Sequence, residues 1–554
     1  MGIKITLKGQ NLVLTDRYFV GQGGEGSIYA KGKTAYKVYL DSKKMIPTGK
    51  IDELAVISDK RVIKPEDVIL KRNKPVGYTM RYVKNTYALC QLFTKAFRDR
   101  NSLSTNICLS LARGMQDTMQ HIHENDVLVV DANEMNFLVA KTFKEVYFID
   151  VDSYQTKSYP PTAIMESIRD RHSSTFNENT DWFAWAVVTF QLLVGIHPYK
   201  GKHPSVKGLD DRMTKNISIF DKQVRVPKAC LSPDVIPKVL RDWYFDVFEN
   251  GQRGAPPIDL SKAVPIVAAT ISYVNWDAFK VEAEYTYDLE VQEYFRKNQK
   301  ECVAGVKQVC LDRRRYIDFE KPSLGIFGSN VLAANIKDDK INLLSLTYQK
   351  PLKAPEIKAD SLMSYDGRFY VKSGENLLEL TFQGSESSPL VVYQKIGNVM
   401  ENATQLFPGV AIQSMLGSYF ASVFPAPNTC SQTRLPDLDG YRILDAKYDK
   451  NLLMVVGIKK GEYDRFIFNL KDGKVKESRK VKNVMYSGLN FTVLDKGICI
   501  SITEQDNIEI FHQNALTKIK AITDKKIHGG MRLTSDGNKV LFFDKTKLHS
   551  ITMK

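Results

Sequence analysis

A group of glycines and a lysine near the start of the chain has the spacing of a phosphate-binding site. Gly21, Gly23 and Gly26 form a glycine-rich turn between stretches of β-branched and aromatic residues. Glycine lets such a turn fold tightly and brings backbone N–H groups close to phosphate oxygens, which a Cβ would obstruct. Lys37 follows in the alternating segment 34–39, which predicts a strand carrying a phosphate-binding cation. A similar glycine pattern introduces dinucleotide folds, but there a helix follows, whereas the residues after Gly26 predict a strand.

Two acids and an amide further along could complete a site for ATP and Mg²⁺. The hydrophobic segment 127–130 leads into Asp131, four residues separate Asp131 from Asn136, and Asp150 ends another hydrophobic segment. Hard cations prefer oxygen ligands, so we predict that Asn136 and Asp150 bind the metal. Asp131 would accept or orient the proton of a substrate hydroxyl. Together with Lys37, these residues predict transfer of the terminal phosphate of ATP.

The phosphate-binding lysine needs an acidic partner, and the next amphipathic segment supplies two candidates. Glu53 has the spacing from Lys37 that is more usual for such a partner, and its side chain is longer. Asp52 is the competing acid. Strands are then predicted around 68–70 and 76–80. We expect Met80 at the back of the adenine pocket and Val83 along the adenine edge. Ile28, on the strand after the glycine turn, completes the predicted nucleotide contacts.

Two further residues are predicted to support the site rather than to act in it. Two helices are predicted near them, and the first covers residues 106–123, which have apolar side chains at helical spacing. Asp181 begins a second helix that is apolar on almost all sides, which is typical of a buried helix. We expect Asp181 to brace the backbone near Asp131, and Arg253 to support the fold from a late helical segment.

Residues 1 to about 270 resemble the protein kinase fold, and especially the divergent bacterial and phage kinases of the YegI-like kind. Those kinases lack the usual His-Arg before the catalytic aspartate, as in Val129-Val130-Asp131, and carry x-Asp-Ser after the metal aspartate, as in Asp150-Val151-Asp152-Ser153. The resemblance implies a bilobal α+β domain, with an N-terminal lobe over 1–83 and a C-terminal lobe over 84–270. It also implies serine/threonine kinase activity with ATP and Mg²⁺.

Two departures from the usual kinase pattern lead to further expectations. Val130 replaces the arginine that would bind an activation-segment phosphate, so alanine at Ser153, Thr156 or Ser158 should change kcat little. The Ala-Pro-Glu sequence usual in kinases is not found between Asp150 and Asp181. Glu166 is the candidate for the glutamate of that sequence.

The carboxyl-terminal half has a different pattern, in which short strands and glycine or aspartate turns recur roughly every 37 to 46 residues. This interval is typical of one four-stranded blade. We predict a β-propeller of six or seven blades over 321–554, closed by the last strand pairing with an early one. A pair of β-sandwiches is the alternative. The charged segment 271–320 is predicted to be a partly helical connector, and the propeller to bind a partner or substrate protein. Deleting 321–554 should then spare ATP binding and basal transfer.

Composition sets the remaining expectations. The 554 residues are 43% hydrophobic and 25% charged, and no apolar run approaches the ~20 residues of a membrane span. The N-terminus opens directly into the strand-like segment 3–7, so no signal peptide is predicted. Seven dispersed cysteines favour reduced thiols in a cytoplasm. The net charge of +15 is spread along the chain, with short clusters at 313–315 and 525–526. A solvated basic surface is favoured over nucleic-acid binding, and no membrane contact is predicted.

Three functional interpretations follow. The first is an active serine/threonine kinase, and the second is a pseudokinase scaffold. The third is a basic structural or nucleic-acid-associated protein with a relic kinase fold. All five chemical positions are filled, whereas pseudokinases usually lose at least one, which favours activity over the second interpretation; the net charge of +15 keeps the third open. These positions are Lys37, Glu53, Asp131, Asn136 and Asp150.

Overall fold

The computed structural model describes residues 2–162, 164–257, 279–471, 473–485, 488–524 and 526–553. The end of the predicted second lobe, 258–270, and the first part of the predicted connector, 271–278, lie outside these residues. Lys525 of the predicted basic cluster also lies outside them.

The chain begins with a seven-stranded sheet in the order β2-β1-β6-β7-β5-β4-β3. Apolar side chains that alternate along the strands form a small core on one face of it, including Phe19, Tyr29 and Val38. The glycine-rich turn joins β3 to β4, and Lys37 lies on β5 between β4 and β7. The strands are β1 (Gly2–Leu7), β2 (Gln10–Thr15), β3 (Phe19–Gln22), β4 (Gly26–Lys31), β5 (Thr34–Tyr39), β6 (Val68–Lys71) and β7 (Lys74–Arg81).

Helices dominate the next part of the chain and surround a three-stranded sheet in the order β10-β9-β8. The most deeply buried helix is α4, which is buried along almost its whole length because it is apolar on all sides. It starts at Glu178, three residues before the predicted Asp181, because the Asn177 side chain accepts hydrogen bonds from the Asn179 and Thr180 amides. The elements are α1 (Thr48–Leu54), β8 (Thr86–Ala88), α2 (Lys95–Asn101), α3 (Thr105–His123), β9 (Phe137–Ala140), β10 (Val146–Phe148), α4 (Glu178–Val194), α5 (Leu209–Thr214) and α6 (Lys238–Phe248).

The carboxyl-terminal region is β-rich, and its described residues form seven four-stranded antiparallel sheets. Six sheets follow one another along the chain. The first two sheets contain β12 (Glu293–Lys297), β13 (Lys300–Ala304), β14 (Gln308–Leu311) and β15 (Arg315–Asp318), and then β16 (Ser323–Phe327), β17 (Asn330–Lys337), β18 (Lys340–Ser345) and β19 (Lys350–Leu352). The third and fourth contain β20 (Ser361–Tyr365), β21 (Arg368–Ser373), β22 (Asn376–Ser385) and β23 (Ser388–Asn398), and then β24 (Thr404–Phe407), β25 (Val410–Met415), β26 (Ser418–Val423) and β27 (Ser431–Arg434). The fifth and sixth contain β28 (Arg442–Asp449), β29 (Leu452–Lys459), β30 (Glu462–Lys471) and β31 (Lys474–Val481), and then β32 (Phe491–Val493), β33 (Ile498–Ile502), β34 (Asn507–His512) and β35 (Ala515–Thr523).

The seventh sheet joins the two ends of this region. It contains β36 (Arg532–Asp536), β37 (Lys539–Asp544) and β38 (Lys547–Met553), and the first strand, β11 (Phe279–Thr286), pairs with β38. Pairing of the last strand with the first closes the series of sheets, and the whole arrangement fits a propeller-like fold.

The prediction of a partly helical connector over 271–320 is wrong for residues 279–318, which form β11 to β15. Charged residues suggested a surface linker, but apolar residues alternate with them. Cys302, Val309 and Leu311 are buried between strands, while Arg315 is exposed on the outer strand β15. Within the described residues that follow 258–278, the β-rich region is therefore already present from Phe279 and not only from residue 321.

The two regions contact each other directly. Arg100 on α2 pairs with Asp445 on β28, with 2.8 Å between the nitrogen and oxygen atoms. Arg17 pairs with Glu375 at 3.2 Å near the first sheet. Buried apolar residues of β29 and β30 also join the core around α4. The interface is therefore both apolar and polar.

None of the helices in the described part of the chain combines the length and apolar composition needed to cross a bilayer. All seven cysteines are present as free thiols.

Candidate active site

A single cavity of about 2380 Å³ lies between the first sheet, the helical part and the β-rich region. Edge strands of the seven carboxyl-terminal sheets contribute to its wall. The predicted nucleotide and metal residues also line it: Gly21, Gly23, Gly26, Ile28, Lys37, Met80, Val83, Asn136 and Asp150. The structure therefore brings together residues that are more than a hundred positions apart in the sequence. Asp131 and Glu53 are not among the described residues that line this cavity.

The glycines of the turn have two different roles. A Cβ added to Gly21 or Gly23 would meet no atom within 4 Å, so these positions leave open space beside the turn. A Cβ on Gly26 would lie 2.9 Å from the Val38 carbonyl oxygen, so close packing against β5 requires glycine there. The Gly23 amide donates to the Gly26 carbonyl at 2.9 Å and closes the turn.

Lys37 lies at the base of this cavity between two carboxylates. Its ammonium nitrogen is 2.6 Å from Asp152 Oδ2 and 3.0 Å from Asp150 Oδ1. Burial opposes the charged ammonium, but both carboxylates outweigh it and raise the pKa of Lys37. Lys37 therefore remains a cation where phosphate would bind.

The two carboxylates beside Lys37 differ in their environment. Burial, with the nearby charge of Asp152, raises the pKa of Asp150 to about 6 against the opposing effect of Lys37. Burial also acts on Asp152, but the Lys37 charge and hydrogen bonds from Lys37, Tyr39 and Tyr78 lower the pKa of that carboxyl. Asp152 is thus a fixed structural anion, while the side chain of Asp150 remains 40% exposed to the cavity.

The predicted pair between Glu53 and Lys37 is not formed. Among the described residues, Lys37 pairs with Glu25, Asp150 and Asp152. Glu53 instead accepts a hydrogen bond from the Ser158 amide at 3.1 Å. Helix α1 is short and turns a different side chain toward the site, so the acid that holds Lys37 comes from Asp152, two residues after Asp150.

The side chain that α1 directs inward is Lys50, which sequence reasoning missed. Its ammonium donates to the Asp152 carbonyl at 2.8 Å and to the Pro160 carbonyl at 3.3 Å, and only 1% of the residue is exposed. Lys50 and Glu53 are three positions apart and so share one face of the helix. Together they hold the segment that follows Asp150.

Asp131 lies in a loop next to the cavity and is 8% exposed. Its Oδ1 accepts the Met165 amide at 2.8 Å, and the Asn136 amide group donates to the Asp131 carbonyl oxygen at 3.0 Å. Burial raises the pKa of Asp131, although the hydrogen bonds from Asn133, Met165 and Asn136 act in the opposite direction. A substrate hydroxyl that uses Asp131 would compete with the Met165 amide for the same oxygen.

This competition leads to a testable prediction. Met165 has φ −81° and ψ 126°, close to the backbone angles that proline adopts, so Met165→Pro removes the amide hydrogen at a compatible position. Hydrogen bonds to charged groups contribute about 1.5–3 kcal/mol, so we expect the KM for an acceptor hydroxyl to fall by about tenfold. Met165→Ala is the control, because it shortens the side chain and keeps the amide. Equal acceptor KM values for the two variants, measured by steady-state transfer from ATP, would contradict the competition.

Asp181 braces the backbone that leads into Asp131. Its Oδ2 accepts the Val129 amide and its Oδ1 accepts the Val130 amide, both at 2.8 Å. His123 Nε2 lies 2.9 Å from Oδ2. Val130 has φ +59°, which is unfavourable for a β-branched residue, and these bonds hold it there.

Arg253 forms a paired contact with Asp170, not with Glu166. Its Nε and a terminal nitrogen lie 2.6 and 2.8 Å from the two Asp170 oxygens, and the guanidinium also lies over the Phe183 ring. Glu166, the predicted acid, is exposed and pairs with Arg171 at 3.3 Å. Asp170 was not among the residues that the sequence indicated, and of these two acids only Asp170 is buried.

The segment after Asp150 contains the three hydroxyl residues considered for regulation. Ser153 and Thr156 are buried, and the Ser153 hydroxyl donates to the Asp150 carbonyl at 2.8 Å. Only Ser158 is exposed. The structure thus adds a packing role for Ser153 that the sequence did not indicate.

We therefore keep the prediction for Ser158 alone. Its side chain is exposed, and although the hydroxyl also bonds Glu53, the Ser158 amide keeps its own bond to Glu53 after substitution. Ser158→Ala should therefore leave kcat within about twofold of wild type, as is usual for surface changes. A large loss of kcat, restored by Ser158→Glu in the same transfer assay, would instead indicate activation by phosphorylation.

The donor set can accommodate Mg²⁺. Asp150 presents a partly exposed carboxylate to the cavity, and the Ile149 amide is bonded to the Asn136 carbonyl at 2.9 Å, which keeps Asn136 beside Asp150. Within the described residues no group of three or more His, Cys, Asp or Glu side chains forms a metal site. Magnesium bound through one or two protein oxygens, with phosphate and water completing its shell, matches this set.

Comparisons with known proteins give one weak match to a kinase. No protein-family model matches the chain. A stretch of 116 residues is 28% identical to part of a probable serine/threonine-protein kinase from Dictyostelium discoideum. It covers 19% of this chain and 8% of that protein. The match indicates a kinase-like region.

Proposed function

We propose that the protein is an ATP- and Mg²⁺-dependent serine/threonine protein kinase, with a bilobal kinase-like domain followed by a seven-bladed propeller. The observation that carries this proposal is the position of Lys37, ion-paired with Asp150 at the base of a cavity lined by the glycine turn. Valine at 130 and the Asp152-Ser153 pair support a relationship to divergent YegI-like kinases. Seven free cysteines support a cytoplasmic location.

In the proposed phosphoryl transfer each residue would have its own step. The amides of the glycine turn and the Lys37 ammonium bind and orient the phosphates. Asn136 and Asp150 would hold Mg²⁺, which supplies charge neutralisation at the phosphate oxygens when bound. Met80 and Val83 also line the cavity and would contact the base. Asp131 would then orient the acceptor hydroxyl and take its proton as the oxygen attacks the γ-phosphorus, while the bond from that phosphorus to the bridging oxygen breaks and ADP leaves.

The propeller-like region is proposed to bind a partner or substrate protein. Its edge strands line the same cavity as the nucleotide residues. A bound segment would therefore lie close to the transferred phosphate.

A pseudokinase scaffold is the second candidate, and one observation favours it. Asp131 is nearly buried, and one of its oxygens is already bonded to the Met165 amide. If that arrangement persisted with ATP bound, nucleotide would bind without transfer.

Nucleotide binding tests the site before any transfer is measured. Calorimetric titration with ATP, with and without Mg²⁺, should show that Lys37→Met weakens binding at least about tenfold under both conditions, because a charge-assisted contact to phosphate is lost. Asp150→Ala should remove only the part of the affinity that depends on Mg²⁺. Lys33→Met, an exposed lysine on the neighbouring turn, is the matched control. Binding by wild type that both substitutions leave unchanged would refute the assignment.

A further inference from the structure

Two side chains of the β-rich region bind the loop that carries Asp131 and Asn136. Arg442, at the start of β28, donates to the Met135 carbonyl oxygen at 2.6 Å. Tyr463, on β30, donates its hydroxyl to Glu134 Oε1 at 3.0 Å. Glu134 and Met135 lie inside the four-residue spacer between the two functional residues, so both contacts act directly on that spacer.

The Tyr463 contact is deeply buried and supports a carboxylate. Glu134 and Tyr463 are 2% and 4% exposed. Burial raises the pKa of Glu134, and the Tyr463 hydrogen bond opposes this by stabilising the charged form. The other oxygen, Oε2, has no hydrogen-bond partner within the described residues. Because a buried polar group without a partner is costly, loss of the tyrosine hydroxyl should release Glu134 from its present position.

The loop that carries Asp131 and Asn136 also needs restraint at the end where Arg442 and Tyr463 bind it. Asp181 fixes its entry by binding the Val129 and Val130 amides, and Val130 is held at positive φ. Strained backbone persists only where the surroundings determine it fully. At the other end, the Asn133 side chain bonds the Met135 amide at 2.8 Å, and Arg442 bonds the Met135 carbonyl. Asp181 and Arg442 thus fix opposite ends of the same loop.

We propose that Arg442 and Tyr463 are positioning residues, through which the β-rich region holds Asp131 and Asn136 in the geometry for transfer. This inference rests on the proposed kinase function. It also revises the expectation that deleting 321–554 spares basal transfer, because that deletion removes both contacts.

Arg442→Met and Tyr463→Phe in the full-length protein test the proposal. Misplacement of a catalytic group by a fraction of an ångström is costly, so kcat should fall about tenfold or more in each variant. The KM for Mg-ATP should change less than kcat, because neither residue contacts Lys37 or the glycine turn, and Asn136 is only one of the two predicted metal ligands. Arg442→Lys, which keeps a donor, should restore part of kcat. Hydrogen exchange at amides 131–136 should be faster in both test variants.

Two control variants separate positioning from loss of stability or docking. Tyr287→Phe removes a comparable bond from a buried tyrosine to Glu301, at 2.7 Å, and Glu301 lies on β13, in a different sheet from Arg442 and Tyr463. Arg17→Met removes the ion pair with Glu375 between the two regions. Both should keep the kcat and the loop exchange of wild type.

The outcomes distinguish this proposal from the function on which it rests. Unchanged or increased kcat in both test variants would overturn it, as would an equal loss of kcat in both controls. If the wild-type protein transfers no phosphate, the proposed kinase function is wrong. Hydrogen exchange at amides 131–136 then still tests whether Arg442 and Tyr463 position the loop. Faster exchange at 131–136 in the test variants alone would support it, and unchanged exchange would overturn it.

Discussion

Asp150→Ala is expected to reduce phosphoryl transfer by about a thousandfold or more while leaving the fold intact. Asp150 is the partly exposed carboxylate at the base of the cavity, and its oxygens are the predicted metal ligands. Loss of a group that stabilises developing charge costs about 10²–10³ in kcat, and loss of a metal ligand should cost at least as much. The measurement is incorporation of labelled γ-phosphate into the protein itself or a generic acceptor.

The control for this change is Asp52→Ala, an exposed aspartate on α1 that should keep wild-type activity. Circular dichroism and thermal unfolding would show whether Asp150→Ala remains folded. Transfer near the wild-type rate in the folded variant would remove Asp150 from the mechanism.

The pKa of Asp150 predicts that the affinity for Mg-ATP depends on pH. The raised pKa of Asp150, about 6, means that the carboxyl of the nucleotide-free protein is ionised above that value and protonated below it. Only the ionised form binds Mg²⁺ well. The affinity for Mg-ATP should therefore decrease as the pH falls through about 6, and this decrease should be absent in Asp150→Ala.

Asp131→Asn is expected to have the second largest effect, on rate alone. The substitution keeps the shape of the side chain and an oxygen that can accept the Met165 amide, but it removes the base. General acid–base catalysis contributes about 10²–10⁴, and transfer should fall by that factor. ATP affinity, measured by calorimetry, should stay within about twofold, because Asp131 does not line the nucleotide cavity.

Asp126→Asn is the matched control, since it makes the same chemical change at an exposed turn a few residues earlier. Equal losses of ATP binding and rate in Asp131→Asn would assign Asp131 a structural role.

Local patterns in the sequence identified residues that the structure brings together along one cavity. The glycine turn and the strand that carries Lys37 are adjacent hairpin elements, so their spacing fixes their geometry. Asn136 and Asp150 follow hydrophobic strands that end at the same cavity. The identity of the lysine partner was not predictable in this way, because it depends on the rotation of α1 and on a carboxylate more than a hundred residues away. The Asp152 that follows Asp150 was the available signal.

Contacts between residues far apart in the sequence explain the other differences between the prediction and the structure. Recurring turns predicted a propeller-like region, but charged residues on outer strands concealed the strands between 279 and 318. Arg442 and Tyr463 lie 307 and 329 positions from the loop residues they bind. No periodicity in one sequence relates such positions, because the contact arises only when the two regions pack together.

The most direct test of the central claim is mass spectrometry of the products of the wild-type protein incubated with ATP and Mg²⁺. The account predicts phosphoserine or phosphothreonine on the acceptor, formed with an equal amount of ADP and absent when EDTA or Asp150→Ala is used. ATP that binds to a folded protein and yields neither ADP nor phosphorylated residues, over a range of acceptors and times, would contradict it.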